Sequence, residues 1–237
     1  MTSQEKVAIV TAASQGIGRG CARELAAQGY RVALIARSSS ILDLATELNG
    51  IAMQGSMTNP DDLQQLVTMT LDRWGRIDAV VNSFADPPRP DLLSISDDQW
   101  LEQFEMLFLS VVRLARWVTE PMQKQGGGAI VNISACDSQE PSLGTPFSGT
   151  LRAAMEGFTK LYAKRYRGDR IRMVSIAPFF VADSMDELEG WEVPELMLGR
   201  PVRYAELAKA VAFLLSDDAR VITGTTLKVD EAYSAAI

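Results

Sequence analysis

The stretch AIVNISACDSQEPSLGTPFSGTLRAAMEG, Ala129 to Gly157, decides how this chain is read. Its first five residues, Ala129-Ile130-Val131-Asn132-Ile133, are apolar and β-branched, and the run is short enough to be a buried strand. Pro141, Gly144 and Pro146 mark a loop. From about Ser148, the spacing of Leu151, Met155, Phe158 and Tyr162 predicts a helix with one apolar face. Strand, loop and helix recur in that order along the chain.

Lys6 to Val10 reads as the first strand, and Ile17 to Gln28 as a helix stopped by Gly29. Between them runs Thr11-Ala12-Ala13-Ser14-Gln15-Gly16-Ile17-Gly18. Gly16 and Gly18 permit a tight turn and a close backbone approach at a helix N-terminus, where free N–H groups suit a pyrophosphate. Close strand–helix packing alone would use the same glycines. Further strands are predicted at Arg31 to Ala36, Ile51 to Gln54, Asp78 to Asn82 and Ile171 to Ile176. Asn59-Pro60-Asp61-Asp62 opens a helix reaching about Trp74, with proline and acidic residues in its first turn. Asp97 or Asp98 is predicted to cap a long helix, about Gln99 to Met122, whose apolar residues suggest burial on two sides. The repeating pattern over 237 residues predicts one α/β domain.

Composition removes several function classes. Hydrophobic residues make up 47% and charged residues 22%, ordinary for a globular protein with a sizeable core. The net charge of −7, with no basic stripe, argues against nucleic acid and anionic membrane surfaces. There is no histidine, so Ser–His and Cys–His mechanisms and histidine-ligated metals are excluded. Cys21 and Cys136 form no metal-spaced pair, no metal is expected, and nothing near Cys136 predicts an activated thiol. The N-terminus lacks a cationic start and no apolar run is long enough to span a membrane, so a cytoplasmic protein is expected.

The glycine turn at Thr11 to Gly18 and the layout of Ala129 to Gly157 together resemble the short-chain dehydrogenase/reductase family. Leu198-Gly199-Arg200-Pro201 and the segment Ile222 to Asp230 extend the resemblance over nearly the whole chain. It implies a single Rossmann-like, doubly wound domain with a central parallel sheet of about seven strands and helices on both faces. It also implies a site built from a Ser at the strand end, a Tyr thirteen residues on, a Lys four further, and an Asn on the long helix. This chain places Ala135, Ser148, Arg152 and Leu107 there. On the cofactor side, Ala12 replaces a Gly and Ser56 an Asp. Asn82-Ser83-Phe84-Ala85 stands for Asn-Asn-Ala-Gly, Phe179 for a Gly beside the nicotinamide, and Glu231-Ala232 for Gly-Gly. Arg37 resembles a contact to the 2′-phosphate of NADP, where NAD-preferring members carry an acidic residue; a solvated arginine is the alternative.

Reduction of a ketone needs a proton donor whose pKa suits the working pH, within reach of the reacting oxygen. An aliphatic hydroxyl at Ser148 is a much weaker acid than a phenol, and Arg152 stays protonated. The resemblance with these departures leads to the expectation of no catalytic residues. Cofactor contacts at Gly16, Ile17, Gly18, Arg37 and Asn82 are expected to be vestigial, with Phe84 and Phe179 filling the cavity and no cofactor bound, or NADP if any. The chain is expected to be a non-catalytic subunit. It would pair with an active homologous dehydrogenase through the two helices the family uses for pairing, about 99–122 and 148–166, as in heteromeric enzymes acting on hydroxyacyl-CoA-type substrates. Two alternatives stand beside it. One is an NADP(H)-dependent oxidoreductase with a non-standard mechanism, such as enoyl-thioester reduction; the other is a ligand-binding or regulatory module. The acidic segment Asp183 to Leu198, with Glu192 and the anchor Trp191, reads as a solvated helix-loop or a partner-facing surface.

Overall fold

Short β-branched runs with no polar face are suited to strands covered on both sides, and this sheet uses them that way. The computed structural model describes residues 5–191 and 193–235; Glu192 and residues 1–4, on which parts of the sequence reading fall, lie outside them. Among the described residues, seven strands form one parallel sheet: β1 (Val7–Thr11), β2 (Arg31–Ala36), β3 (Ile51–Gln54), β4 (Ala79–Asn82), β5 (Gly128–Ile133), β6 (Ile171–Pro178) and β7 (Thr226–Val229). Their spatial order is β3-β2-β1-β4-β5-β6-β7, the doubly wound arrangement expected from the sequence.

Alternate residues of each strand feed opposite layers. Val10, Leu34, Val131 and Ile176 pack toward α1 (Gly16–Ala27), α2 (Ser40–Glu47) and α7 (Tyr204–Leu215). Ile9, Ile35, Val80, Ile130 and Met173 face the other side, toward α3 (Pro60–Trp74), α5 (Ser110–Gln125) and α6 (Pro146–Tyr166). Each fully buried Ile, Leu or Val contributes about 1.5–3 kcal/mol, so the two layers hold the sheet rigid beneath the site. Among the described residues, no helix is long and apolar enough to cross a membrane.

Two expectations about the long helix are corrected. Its N-cap is Ser96, not Asp97 or Asp98: the Gln99 N–H donates to Ser96 Oγ at 3.3 Å, and the Ser96 N–H donates to Gln99 Oε1 at 2.9 Å. This reciprocal pair satisfies two donors that a single aspartate would not. The helix is also not continuous. It runs as α4 (Asp97–Phe104), a π-helical turn at Glu105–Leu109, and then α5. In the acidic segment, among the described residues, the helical part is a 3₁₀ turn at Met185–Leu188. Trp191 anchors it as expected, edge-on to Phe180 with ring centroids 5.4 Å apart.

Candidate functional site

Strand order reverses between β1 and β4, and at that point a crevice opens beyond the carboxyl ends of the strands. It forms one cleft of ≈ 1390 Å³. Ala12, Gly16, Ile17, Arg37 and Ser56 line one end, and Phe84, Ala135, Ser148, Arg152 and Phe179 line the other.

The nucleotide end is built on a tight turn. Gly16 takes φ 55° there, and Ala12 is held at φ 47°, a left-handed conformation that suits the glycine it replaces. A Cβ on Gly18 would lie 2.5 Å from the Ala12 carbonyl oxygen, so Gly18 lets helix and turn touch and does not line the cleft. The Thr11 hydroxyl donates to the Ser83 carbonyl at 2.8 Å and accepts the Ser83 N–H at 3.0 Å, tying β1 to β4 across the switch point. Arg37 is exposed at the end of β2, and among the described residues its guanidinium has no carboxylate partner. Its backbone is held by the Gln54 amide, which donates to the Arg37 carbonyl at 3.1 Å. Such a turn at a helix N-terminus, beside an unpaired cation, fits a phosphorylated dinucleotide.

At the reacting end, Ala135, Ser148 and Arg152 come together on the cleft wall, as the family resemblance implies. Arg152 is only 7% exposed and donates through Nε to Ser148 Oγ at 3.0 Å, while its NH1 donates to the Ile133 carbonyl. Burial pushes its pKa down to about 10, against the pull of Asp86, Asp137 and Glu156, and it stays charged at neutral pH. Glu156, one helical turn further along α6, accepts from Ser134 Oγ at 2.6 Å and from Ser138 Oγ. The loop after β5 is thereby fastened to the helix that carries Ser148. Asp137 also lines the cleft, and burial raises its pKa although Arg152 and Arg89 oppose the rise. Burial pushes the Cys136 thiol up to about 12, so it is inert.

Leu107 and Asn82 lie elsewhere. Leu107 is fully buried with Phe147 and Leu151, away from the cleft, so the position tied to a relay water is dry. Asn82 does not reach the cofactor wall; its amide donates to Asn132 Oδ1 at 2.7 Å beneath the cleft. Asn132 in turn donates to Thr159 Oγ1 at 2.9 Å, pinning α6 to the sheet.

The cavity is not filled. Phe84 leans onto the cluster of Leu107, Phe147 and Leu151, with the Arg152 guanidinium 5.3 Å from its ring centroid. Phe179 stacks on Tyr233 with centroids 3.9 Å apart and meets Phe180 edge-on at 4.3 Å. Both rings find apolar partners in the walls, which leaves the cleft open between them.

Sequence reading missed three site residues. Glu156 could have been found four positions after Arg152, on the same helix face. Asp137, two residues past the strand-end position, stood out only by its nearness to Ala135. Tyr204 gave no signal. Its ring lies 3.7 Å from where a Cβ on Gly16 would stand, and its hydroxyl donates to Glu187 at 2.7 Å.

A family model described as enoyl-(acyl carrier protein) reductase matches residues 11–234. The chain is 30% identical to the 3-oxoacyl-(acyl-carrier-protein) reductase FabG of Vibrio cholerae, over 97% of this chain and 98% of that one. It is 32% identical to the 3-oxoacyl-(acyl-carrier-protein) reductase of Synechocystis, covering 95% of each. Among solved structures, the acetoin dehydrogenase from Enterobacter cloacae superimposes with a TM-score of 0.90 at 27% identity, covering 100% of this chain and 98% of that one. Full-length similarity to named reductases overturns the expectation of a non-catalytic subunit that completes an active homologue, and neither that similarity nor the open cleft supports the expectation that no cofactor binds. With glycine turn, switch-point cleft, sheet order and matched length in agreement, the chain belongs to the short-chain dehydrogenase/reductase family of NAD(P)-dependent oxidoreductases.

Proposed function

We propose that the chain is an NADP(H)-dependent reductase acting on acyl thioesters with a carbon–carbon double bond beside the carbonyl. The observation that carries this reading is an open cleft whose reacting end offers Ser148 bonded to Arg152, not a phenol beside an ammonium. Acid–base help at a ketone oxygen is worth about 10²–10⁴ in rate, and neither Ser148 nor Arg152 supplies it. Conjugate reduction places its proton on carbon, so it does not need that acid. The dinucleotide, when bound, supplies the hydride. The chain's own residues would bind and orient it: N–H groups of the Gly16–Ile17 turn would hold the pyrophosphate and Arg37 the 2′-phosphate, and Phe179 with Tyr233 walls the reacting end. The thioester class is supported by the relatives' names, which specify acyl-(acyl-carrier-protein) substrates.

The test is thermal unfolding with NADPH and NADH, followed by NADPH oxidation with 2-enoyl and 3-oxoacyl pantetheine thioesters. The expected result is stabilisation by NADPH above NADH, and turnover of the enoyl thioester. No shift with either dinucleotide, or turnover of the 3-oxo compound alone, overturns the reading.

A further inference from the structure

We infer that Ser148 and Arg152 form an oxyanion site: Ser148 donates its hydroxyl hydrogen to the substrate's carbonyl oxygen, and Arg152 fixes and polarises that hydroxyl. The inference rests on the reductase reading above and assigns catalytic work to the very positions that lack the family's acid–base pair. Ser148 Oγ accepts from Arg152 Nε at 3.0 Å. Among the described residues, Ser148 Oγ donates to no protein acceptor, so its O–H hydrogen is left for the cleft that it lines. Arg152 cannot swing away, since its NH1 is held by the Ile133 carbonyl and its guanidinium lies against Phe84. A fixed cation behind a hydroxyl strengthens that hydroxyl as a donor without consuming a proton. Donors held ready at the point where negative charge develops stabilise the transition state without reorganising.

The electron count favours one reaction. Hydride arriving at the β-carbon forms a C–H bond and pushes the double-bond pair toward the carbonyl, leaving an enolate whose negative oxygen Ser148 holds. The carbonyl then re-forms as the α-carbon takes a proton from water in the open cleft. The acyl chain thereby gains a hydride and a proton, two electrons and two protons in all; the dinucleotide is oxidised by the same two electrons, and the water that gave the proton is left as hydroxide. Reduction of a ketone would instead leave an alkoxide, far more basic than an enolate, which must be protonated at oxygen. Ser148 and Arg152 supply a hydrogen bond and a charge there, but no transferable proton matched to neutral pH.

Because Arg152 is buried, Ser148 carries the decisive variants. Ser148→Ala is expected to lower kcat for the 2-enoyl thioester about 10²–10³-fold, with KM and the NADPH dissociation constant unchanged. Ser148→Thr, which keeps the hydroxyl, is expected to restore most of the loss. Arg152→Lys is expected to lower kcat with KM intact, because a lysine ammonium lacks the planar fork. A kcat that survives Ser148→Ala, or a loss that Thr does not rescue, overturns the oxyanion site while leaving the reductase reading in place. If the wild type binds NADPH but reduces no enoyl thioester, the reductase reading fails. The oxyanion site is then judged by calorimetric binding of an enolised 1,3-dicarbonyl thioester to the NADP⁺-loaded protein. Binding at least tenfold tighter to wild type than to Ser148→Ala supports the site; equal binding overturns it.

Discussion

The two ends of the cleft have departed from the family in opposite ways. At the nucleotide end, residue types changed and backbone geometry stayed: Ala12 occupies a left-handed position at φ 47°, and Gly16 keeps its turn at φ 55°. At the reacting end, backbone and location stayed and the chemistry changed, with Ser148 and Arg152 hydrogen-bonded at 3.0 Å on the same stretch of wall. The first difference keeps the turn at the cost of strain. The second sets a hydroxyl and a buried cation where the family carries a proton-transfer pair.

The largest effect is expected at Gly18. A Cβ there would lie 2.5 Å from the Ala12 oxygen and 2.9 Å from its carbonyl carbon, and backbone cannot yield as a flexible side chain would. Gly18→Ala should cost roughly 1–3 kcal/mol or more and abolish stabilisation by NADPH, because the turn itself is displaced. Thermal unfolding with and without the dinucleotide checks both. If NADPH still stabilises the variant, backbone geometry is not what the nucleotide end preserves.

Arg37 probes the same end through charge. Its guanidinium is exposed and unpaired among the described residues, so Arg37→Ala should leave the fold intact. A charge-assisted hydrogen bond to phosphate is worth about 1.5–3 kcal/mol, which corresponds to a loss of roughly 10–100-fold in NADPH affinity. NADH affinity should not change. Fluorescence titration with both dinucleotides separates a phosphate contact from a merely solvated arginine.

How far each end could be read from sequence follows from what kind of information sets it. The strands and helices were readable because their periodicities, and a helix-ending glycine such as Gly29, are local, whereas the doubly wound arrangement was implied by the family resemblance. The positions of Ala135, Ser148 and Arg152 were readable through the family resemblance, and the fold brings all three to one wall of the cleft. Their meaning was not, because the hydrogen bond between them and the free Ser148 hydroxyl depend on how Arg152 is buried. Phe84 and Phe179 show the limit most clearly. A large side chain in place of a small one suggests a plug, yet the direction of each ring is set by tertiary neighbours, the cluster of Leu107, Phe147 and Leu151 for one and Tyr233 for the other. The π turn at Glu105–Leu109 was likewise invisible, since its residues keep an apolar pattern that a continuous helix would also show.

Asp137 tests the reacting end by pH. Burial raises its pKa above the ordinary 3.8, outweighing Arg152 and Arg89, with Asp86 adding to the rise. A carboxyl raised in the folded state contributes stability that is fully present below its unfolded value and is lost as pH climbs through the folded value. Asp137→Asn does not suffer that loss. The variant should therefore melt above the wild type at pH 7, and the gap should close toward about pH 4, near the unfolded aspartate value. Melting curves across that range check the sign; a variant that melts lower at pH 7 would show Asp137 to be a needed partner of Arg152.

The smallest effect returns to the turn. Ala12 at φ 47° sits in a region that costs an L-residue about 1–2 kcal/mol. Glycine would relieve that strain but lose about 0.5–1 kcal/mol through the greater freedom of its unfolded chain. Ala12→Gly should thus gain up to about 1 kcal/mol, or some 2–4 °C in Tm for a domain of this size. Glu231, at φ 55°, is a poorer test, because its carboxylate accepts the Met197 N–H at 2.6 Å and glycine would forfeit that bond. NADPH affinity should not change in Ala12→Gly, since the turn already has the geometry that glycine would adopt. A gain in affinity beyond the gain in stability would mean that the alanine methyl, and not the strained backbone, is what the nucleotide end has had to accommodate.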